Sequence, residues 1–411
     1  MLFSRWQETL SRFRHAPALF EGGRALSFAD LAERLAALPT ATTTVIARGS
    51  VVNVALAVLQ AWRDDQAVLP LEPSSPLPEF PSDLPSGTSH LKLTPGIEGK
   101  PRAVFFTADQ IAADADRLVA AMNLRPGIPN LAAISVTHSY GFSSILLPLL
   151  LHGVPVHAVE VPFPKVMADA IDAHDAVVLP AVPSMWRAWH RAGFLRPEKI
   201  ALAVSAGAPL SLELEHAVFE NGGLKLHNFY GASECGGISF DASTTPRTRA
   251  ADLGTPLDGV VVTLDPSGRF HIASSSVALS YEAARDGGLL GSGNFLTQDH
   301  GRIEGGHLLL ESSGAEYINV AGRKIGPAKI EAALMATGLL EKARVFGIPS
   351  HDPERVEEIT ALVKLKSGTL EQLRQRMSGT LEGWEMPRHW ETAADEAVWT
   401  LSRADLKKRH S

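Results

Sequence analysis

The run Asn228-Phe229-Tyr230-Gly231-Ala232-Ser233-Glu234 gathers an aromatic ring, a flexible backbone position, a hydroxyl and a carboxylate in one short stretch. A flat ring such as that of Tyr230 can stack on a nucleobase. Gly231 offers a tight turn and close approach of backbone to a ligand. Ser233 can donate to a phosphate oxygen, and Glu234 can hold a hard cation such as Mg²⁺. The order suits a nucleotide lying across one loop, base at one end and phosphate and metal at the other. Taken alone, an ordinary surface turn accounts for the same residues at least as well.

Four further segments carry chemistry of the same kind. Leu93-Thr94-Pro95-Gly96-Ile97-Glu98-Gly99-Lys100-Pro101-Arg102 lies between apolar runs. Its glycines, with Lys100 and Arg102, suit a loop whose backbone N–H groups and cations face an anion. A plain β-turn fits equally well, and Glu98 would repel a triphosphate. Ser205-Ala206-Gly207-Ala208-Pro209-Leu210-Ser211 is made of small residues that let a flat group, or a neighbouring helix, pack on backbone. Asp299 in Thr297-Gln298-Asp299 can accept from both hydroxyls of a ribose or simply shape a turn. His138-Ser139-Tyr140-Gly141-Phe142 offers an imidazole and a ring to a cavity, although a lone histidine is often structural. The lone Cys235 reads as a small buried residue rather than a nucleophile.

The elements that must position these groups alternate between strand-like and helical patterns, the signature of an α/β fold. Thr43–Ala47, Ala67–Leu71, Leu131–Val136, Val154–Val159, Ala176–Leu179 and Ala201–Val204 read as strands. Val54–Trp62 and Ser143–His152 read as helices. Ligands of open parallel sheets bind where strands deliver their carboxyl ends, and several of the motifs fall there. Pro73 to Gly99 reads as a loop. Strands with Gly-rich turns fill Gly254 to Leu310. Beyond Gly314 a helix at Pro327–Met335, strands at Arg344–Ile348 and Ile359–Leu365, and a helix at Thr369–Met377 make a small α+β module. The expected division is residues 1–314 and 315–411.

The bulk properties set limits. A chain of 411 residues is too long for one core and implies two or more domains. A net charge of −7 argues against nucleic acid as the main partner. The basic tail Arg403–Arg409 reads as a solvated helix end. One cysteine excludes an intrachain disulfide and suits a reducing compartment. Residues 1–14 lack a signal-peptide core, and the apolar segment Ile145–Leu151 is too short to span a bilayer. These features together point to the cytoplasm, with no membrane span.

Seven segments in this order resemble the adenylate-forming (ANL) superfamily of acyl- and aryl-CoA synthetases, adenylation domains and luciferases. Thr94–Val104 is similar to its phosphate loop, His138–Phe142 to its acid-pocket motif, and Ser205–Ser211 to its adenine-flanking segment. Asn228–Glu234 resembles its Tyr-Gly-x-Thr-Glu motif, Gly254–Val260 its Gly-x-Pro turn, and Thr297–Asp299 its Thr-Gly-Asp. Ile318–Pro327 resembles the first segment of its C-terminal domain. The resemblance spans nearly the whole chain. It implies a large domain of α/β subdomains, a small mobile C-terminal domain, and a two-step reaction. A carboxylate attacks the α-phosphate of ATP to give acyl-AMP, and a thiol of CoA or of a carrier protein's phosphopantetheine then displaces AMP.

Carried across residue by residue, Tyr230 stacks on adenine, Asn228 meets its edge, and Ser205, Ala206 and Gly207 flank it. Ser233 touches the α-phosphate, Glu234 holds Mg²⁺, and Asp299 binds ribose. Thr94, Lys100 and Arg102 serve the phosphates. Lys324 reaches the thioester-forming site. His138, Phe142 and Ala208 line a mostly apolar pocket that suits an aryl or medium-chain acid. The departures are specific. The phosphate loop keeps only the hydroxyl of Thr94, and Ser312-Ser313 stands where the superfamily has Gly-Arg. The C-terminal Gly-Lys falls on Trp399-Thr400, with Arg403 available in a shifted register. Losing one preorganised donor to a developing charge typically costs about 10²–10³ in rate. Two readings follow: a divergent ligase, or a protein of the same fold that binds nucleotide or acyl-adenylate as a scaffold or performs only thiol transfer.

Overall fold

Several helices begin where the sequence supplies a side-chain cap. Thr107 and Gln110 form a reciprocal capping box at the start of the helix Ala108–Ala121. Ser211 accepts from the Leu214 amide to start Leu212–Gly222, and Ser50 does the same for Val51–Arg63. These helices pack on sheets of mixed strands. The computed structural model describes residues 1–78, 84–94, 102–282, 290–313, 318–321, 323–350, 352, 355–393, 395–399, 401 and 403–410. The chain divides into two units, Met1–Leu93 with Ala103–Gly314, and Thr94–Arg102 with Ala315–Ser411.

The first unit has the expected α/β architecture. Its largest sheet runs Thr255–Pro256, Gly236–Phe240, Leu226–Ala232, Ile200–Ser205, Val177–Ala181, Asn130–Ala132, Val156–Ala158, Pro17–Glu21, Arg24–Ser27. The strands from Leu226–Ala232 through Pro17–Glu21 are parallel neighbours. Their carboxyl ends therefore open on one edge, where the loops after Ala132, Ser205 and Ala232 emerge. A second sheet is built on Asn294–Glu304 with Arg269–Ser274, Val260–Leu264 and His307–Ser313. A third runs Ser280–Tyr281, Arg102–Thr107, Thr88–Thr94, Val68–Pro70, Val45–Ala47.

Three expectations are corrected. The stretch from Pro73 to Gly99 is not loop throughout, since Thr88–Thr94 is a strand with His90, Leu91 and Lys92 buried. Polar His90 and Lys92 masked its alternation. The predicted strand Leu131–Val136 is short, Asn130–Ala132. The predicted helix Ser143–His152 begins earlier, at Ser139, and widens to a π-turn over Phe142–Leu146 before continuing as Leu147–His152. Pro148 explains the widening, because it has no N–H for the carbonyl four residues back. That carbonyl belongs to Ser144, and buried Asn130 Nδ2 donates to it at 3.1 Å instead.

The second unit is α+β. Leu340–Pro349, Glu357–Leu365 and His389–Thr392 form one sheet, and Ile318–Val320 pairs with Arg323–Ile325. Helices Pro327–Ala336 and Leu370–Met377 close a core of Ile330, Leu334, Val345, Ile359, Val363, Leu373 and Met377. The basic tail is a docked helix rather than a merely solvated end. In Arg403–Arg409, Leu406 is fully buried with Phe346, Leu362 and Trp399, and Lys407 pairs with Glu357. Among the described residues no helix is long and apolar enough to cross a membrane.

Candidate functional site

Tyr230 and Gly231 lie within the last residues of the strand Leu226–Ala232, so the expected tight turn at Gly231 lies two residues later, over Ser233–Cys235. Gly231 serves a close approach instead: a Cβ there would sit 2.7 Å from the Gly236 carbonyl oxygen. Gly236 closes the turn with φ +73°, and a Cβ on it would collide with Asp114 Oδ1 at 2.2 Å. Asp114 is buried on the helix Ala108–Ala121 and accepts from the Gly237 amide at 3.0 Å. The turn bearing Ser233 and Glu234 is thus clamped by a helix behind it.

Three hydrogen bonds draw distant segments onto this turn. The Tyr230 hydroxyl donates to Asp299 Oδ2 at 2.6 Å, bringing the second sheet to the first. The Ser139 hydroxyl donates to Ser233 Oγ at 3.1 Å, bringing in the His138–Phe142 segment. The Tyr281 hydroxyl donates to Glu234 Oε1 at 3.0 Å. Tyr281 lies opposite Val104, on the strand that leaves the predicted phosphate loop. Burial, then the charge of Asp299, pushes the Tyr230 phenol well above its ordinary value, so it remains a donor at neutral pH. The Thr297 hydroxyl accepts from the Asp299 amide at 3.1 Å and fixes that carboxylate's backbone.

The loop after Ile200–Ser205 lies beside this group, with Ser205 paired to Asn228 in the parallel register. Ala206 is buried, Ala208 half-buried, and exposed Gly207 turns the chain at φ +80°. Asn228 is buried and donates through Nδ2 to the Asp252 carbonyl at 3.1 Å, so its amide holds scaffold in place.

The other predicted residues are placed differently. His138 is largely exposed, with Nε2 3.4 Å from Glu72 Oε1. Phe142 is 1% exposed and its ring lies 4.3 Å from that of His90, so it packs in the core in this structure. Thr94 is buried and its hydroxyl donates to the Arg102 carbonyl at 3.4 Å. Lys100 lies outside the described residues. Lys324 stands opposite Asn319 in the two-stranded sheet, and its side chain lies outside the described residues. Arg403 is held within the small unit in this structure. Its guanidinium makes two 2.8 Å bonds to the Glu331 carboxylate and a 3.0 Å bond to the Val345 carbonyl. That fork is committed inside the small unit, which any rigid movement of the unit would preserve. Cys235 is 1% exposed and burial pushes its thiol far up, away from nucleophilic character.

Sequence reasoning missed Ser139 and Tyr281 as partners of the turn, and it missed the buried charges beneath it. Lys225 donates to Glu215, to Asp241 Oδ2 at 2.6 Å and to the Leu226 carbonyl at 2.8 Å, and Arg247 Nε donates to Glu215 Oε2 at 2.8 Å. The only signal was polar residues at positions flanking buried strands.

Comparison with known proteins identifies the group. A family model described as "AMP-binding enzyme" matches residues 37–276, more than half of the chain. The chain belongs to this AMP-binding enzyme family. It is 25% identical over 265 residues to 4-hydroxybutyrate–CoA ligase 1 of Metallosphaera sedula, a match covering 56% of the chain and 45% of that ligase. It is 24% identical over 349 residues to the 4-hydroxybenzoate–CoA/benzoate–CoA ligase of Rhodopseudomonas palustris, covering 78% of the chain and 60% of that ligase. The matched regions therefore span about half the length of these relatives. In fold, the chain is similar to o-succinylbenzoate CoA synthetase of Bacillus subtilis, with a TM-score of 0.85, 19% identity and 98% of both chains covered.

The AMP-binding family membership sets a fit test for a divalent cation. Among the described residues, no group of three His, Cys, Asp or Glu could hold a metal ion. Glu234 alone in the turn is consistent with Mg²⁺, which takes one or two carboxylates and completes its shell with substrate phosphates and water.

Proposed function

We propose that this chain activates a small carboxylic acid with ATP and transfers the acyl group to a thiol. One observation carries the reading: the 2.6 Å bond from Tyr230 to Asp299, which joins the ring next to the Ser233–Glu234 turn to the carboxylate read as the ribose partner. A nucleotide laid there has its base toward the Ser205–Ala208 loop, its ribose at Asp299 and its α-phosphate at Ser233. In the first step a carboxylate oxygen bonds to the α-phosphorus, the bond to the bridging oxygen breaks, and pyrophosphate leaves. In the second, a thiolate attacks the acyl carbon and AMP leaves, the thiol proton passing to solvent. Glu234 would hold Mg²⁺, which neutralises phosphate charge when bound. Ser233, held by Ser139, presents its hydroxyl to a phosphate oxygen. Lys324 is assigned to the thiol-transfer half, and Thr94, Lys100 and Arg102 to the phosphates.

The relatives' names support CoA as the thiol and an aryl or short hydroxy acid as the substrate class. A carrier-borne phosphopantetheine is the competing acceptor. The boundary near residue 314 is read as the border between an AMP-binding domain and a small domain that moves between the two steps.

Pyrophosphate release with a panel of aryl and medium-chain acids, with and without Mg²⁺, tests the reading. Turnover is expected with at least one acid. Glu234→Ala should lower it about 100-fold or more, in line with loss of a preorganised charge-stabilising group. Tight AMP binding without turnover on any acid would instead favour the scaffold reading.

A further inference from the structure

Beneath the nucleotide-facing edge lies a closed set of buried charges that the reaction does not use. Glu215 is fully buried, and Lys225, Asp241 and Arg247 are each 5–7% exposed. Two cations face two carboxylates, and their bonds reach across three segments distant in the sequence. Arg247 is the hub. Its Nε reaches Glu215 Oε2 at 2.8 Å and its backbone amide reaches Glu215 Oε1 at 3.0 Å. Nη1 donates to the Asp252 carbonyl at 2.6 Å, and Nη2 to the Leu210 carbonyl at 2.7 Å.

The two carbonyls give the hub its meaning. Leu210 ends the small-residue loop Ser205–Leu210. The Asp252 carbonyl also accepts from Asn228 Nδ2 at 3.1 Å. One guanidinium therefore bonds both the loop and the anchor of the strand that carries Tyr230. These are the two walls between which the base is read to lie. Asp241 completes the frame: its amide donates to the Asn228 carbonyl at 2.9 Å, and its carboxylate takes Lys225. A buried ion pair is weak as a source of net stability, because desolvation offsets most of the attraction. A planar fork with donors in fixed directions is strong as a spacer, and lysine cannot reproduce it.

We infer that Arg247 is a positioning residue for nucleotide-base recognition: through Leu210 and Asp252 it sets the width and register of the base slot. The inference rests on the proposed nucleotide site and adds to it a determinant of base specificity that touches no ligand. A rigid slot discriminates between purines by leaving the wrong edge unpaired, and a loosened slot tolerates it.

The test compares wild type and Arg247→Lys, measuring KM and kcat for ATP and for GTP in pyrophosphate release, and AMP affinity by calorimetry. Arg247→Lys should raise KM for ATP about tenfold with kcat within about threefold, weaken AMP binding to match, and lower the ATP:GTP preference about tenfold. Glu215→Gln keeps the shape and one acceptor while removing the charge. It should move the same quantities in the same direction by about threefold, and it serves if Arg247→Lys does not fold. Unchanged KM and unchanged ATP:GTP preference in a folded variant, with only thermal stability reduced, would reduce the network to scaffold and overturn the inference. Wild-type protein that binds neither ATP nor AMP would overturn the proposed function itself, a result separable from the first because it appears before any substitution.

Discussion

At the scale of single residues, Tyr230 joins two roles that substitution can separate. In the proposed function its ring stacks on the base, and in the structure its hydroxyl holds Asp299. A hydrogen bond to a charged group contributes roughly 1.5–3 kcal/mol net. Tyr230→Phe keeps the ring and removes the hydroxyl's bond to Asp299, so it should raise KM for ATP about tenfold with kcat little changed. Tyr230→Ala should cost clearly more, because the stacking face goes as well. Steady-state kinetics on both variants checks this, and equal effects would remove the ring from base recognition. The residue types at this site were legible in the sequence, since ring, hydroxyl and carboxylate announce their chemistry. Their partners were not. Ser139 lies 94 residues from Ser233 and Tyr281 47 residues from Glu234. Only the strand order brings them together, and no local pattern encodes it. Arg403 shows the converse: a cation near the right place in sequence reads as available, and its partner Glu331 is visible only in the fold.

At the scale of elements, the helix–strand alternation was readable because burial sets its period. The failures fall where polar residues occupy buried positions, as His90 and Lys92 do in Thr88–Thr94, or where a proline widens a helix. Another polar pair ties elements by a contact that depends on pH. His157, in Val156–Ala158, and His174, just after the helix Pro164–Asp172, share a 2.8 Å hydrogen bond beside the ring of Phe20. One ring must donate and the other accept, so a proton on both breaks the bond. Burial first, then the facing His174, holds His157 below the ordinary imidazole value of 6.5. Burial first, then Lys199, holds His174 below it, with Asp175 opposing. The unfolded chain therefore takes up protons before the folded one as pH falls. Stability from this pair is complete above about 6.5 and declines on acidification until the folded rings protonate, by at most about 1.4 kcal/mol per pH unit for each extra proton. Thermal melts between pH 7.5 and 5.5 should show Tm falling with pH in the wild type. His174→Gln should show a shallower fall, the remainder coming from other buried imidazoles such as His90 and His227. An identical slope in the variant would exclude the pair as a source.

At the scale of the whole molecule, the chain is two units whose content was legible unequally. The larger could be read from motifs, because its loops follow parallel strands and their chemistry clusters at one edge. The smaller could be read only as an α+β module, because what fixes its tail is packing: Leu406 under Phe346 and Leu362, and the Arg403 fork on Glu331. This unequal reading makes a prediction about which unit carries which work. Tyr230, Ser233, Glu234 and Asp299 belong to the larger unit, and Arg403 to the smaller. If Arg403 is a strut, its loss leaves Glu331 with the Val345 amide as a partner but without its buried-side cation. Breaking one side of such a part-buried, two-pronged pair destabilises more than an exposed surface pair would, by an amount on the order of 1–3 kcal/mol. Arg403→Met in the full chain should therefore lower the melting temperature of the small unit, followed by hydrogen exchange of Val345 and its neighbours. The rate of pyrophosphate release at a temperature where both forms are folded should stay within about threefold of wild type. A loss of 100-fold or more with unchanged exchange would mean that the guanidinium leaves Glu331 during turnover and stabilises charge at the phosphate. In that case the small unit would supply the missing cation after all.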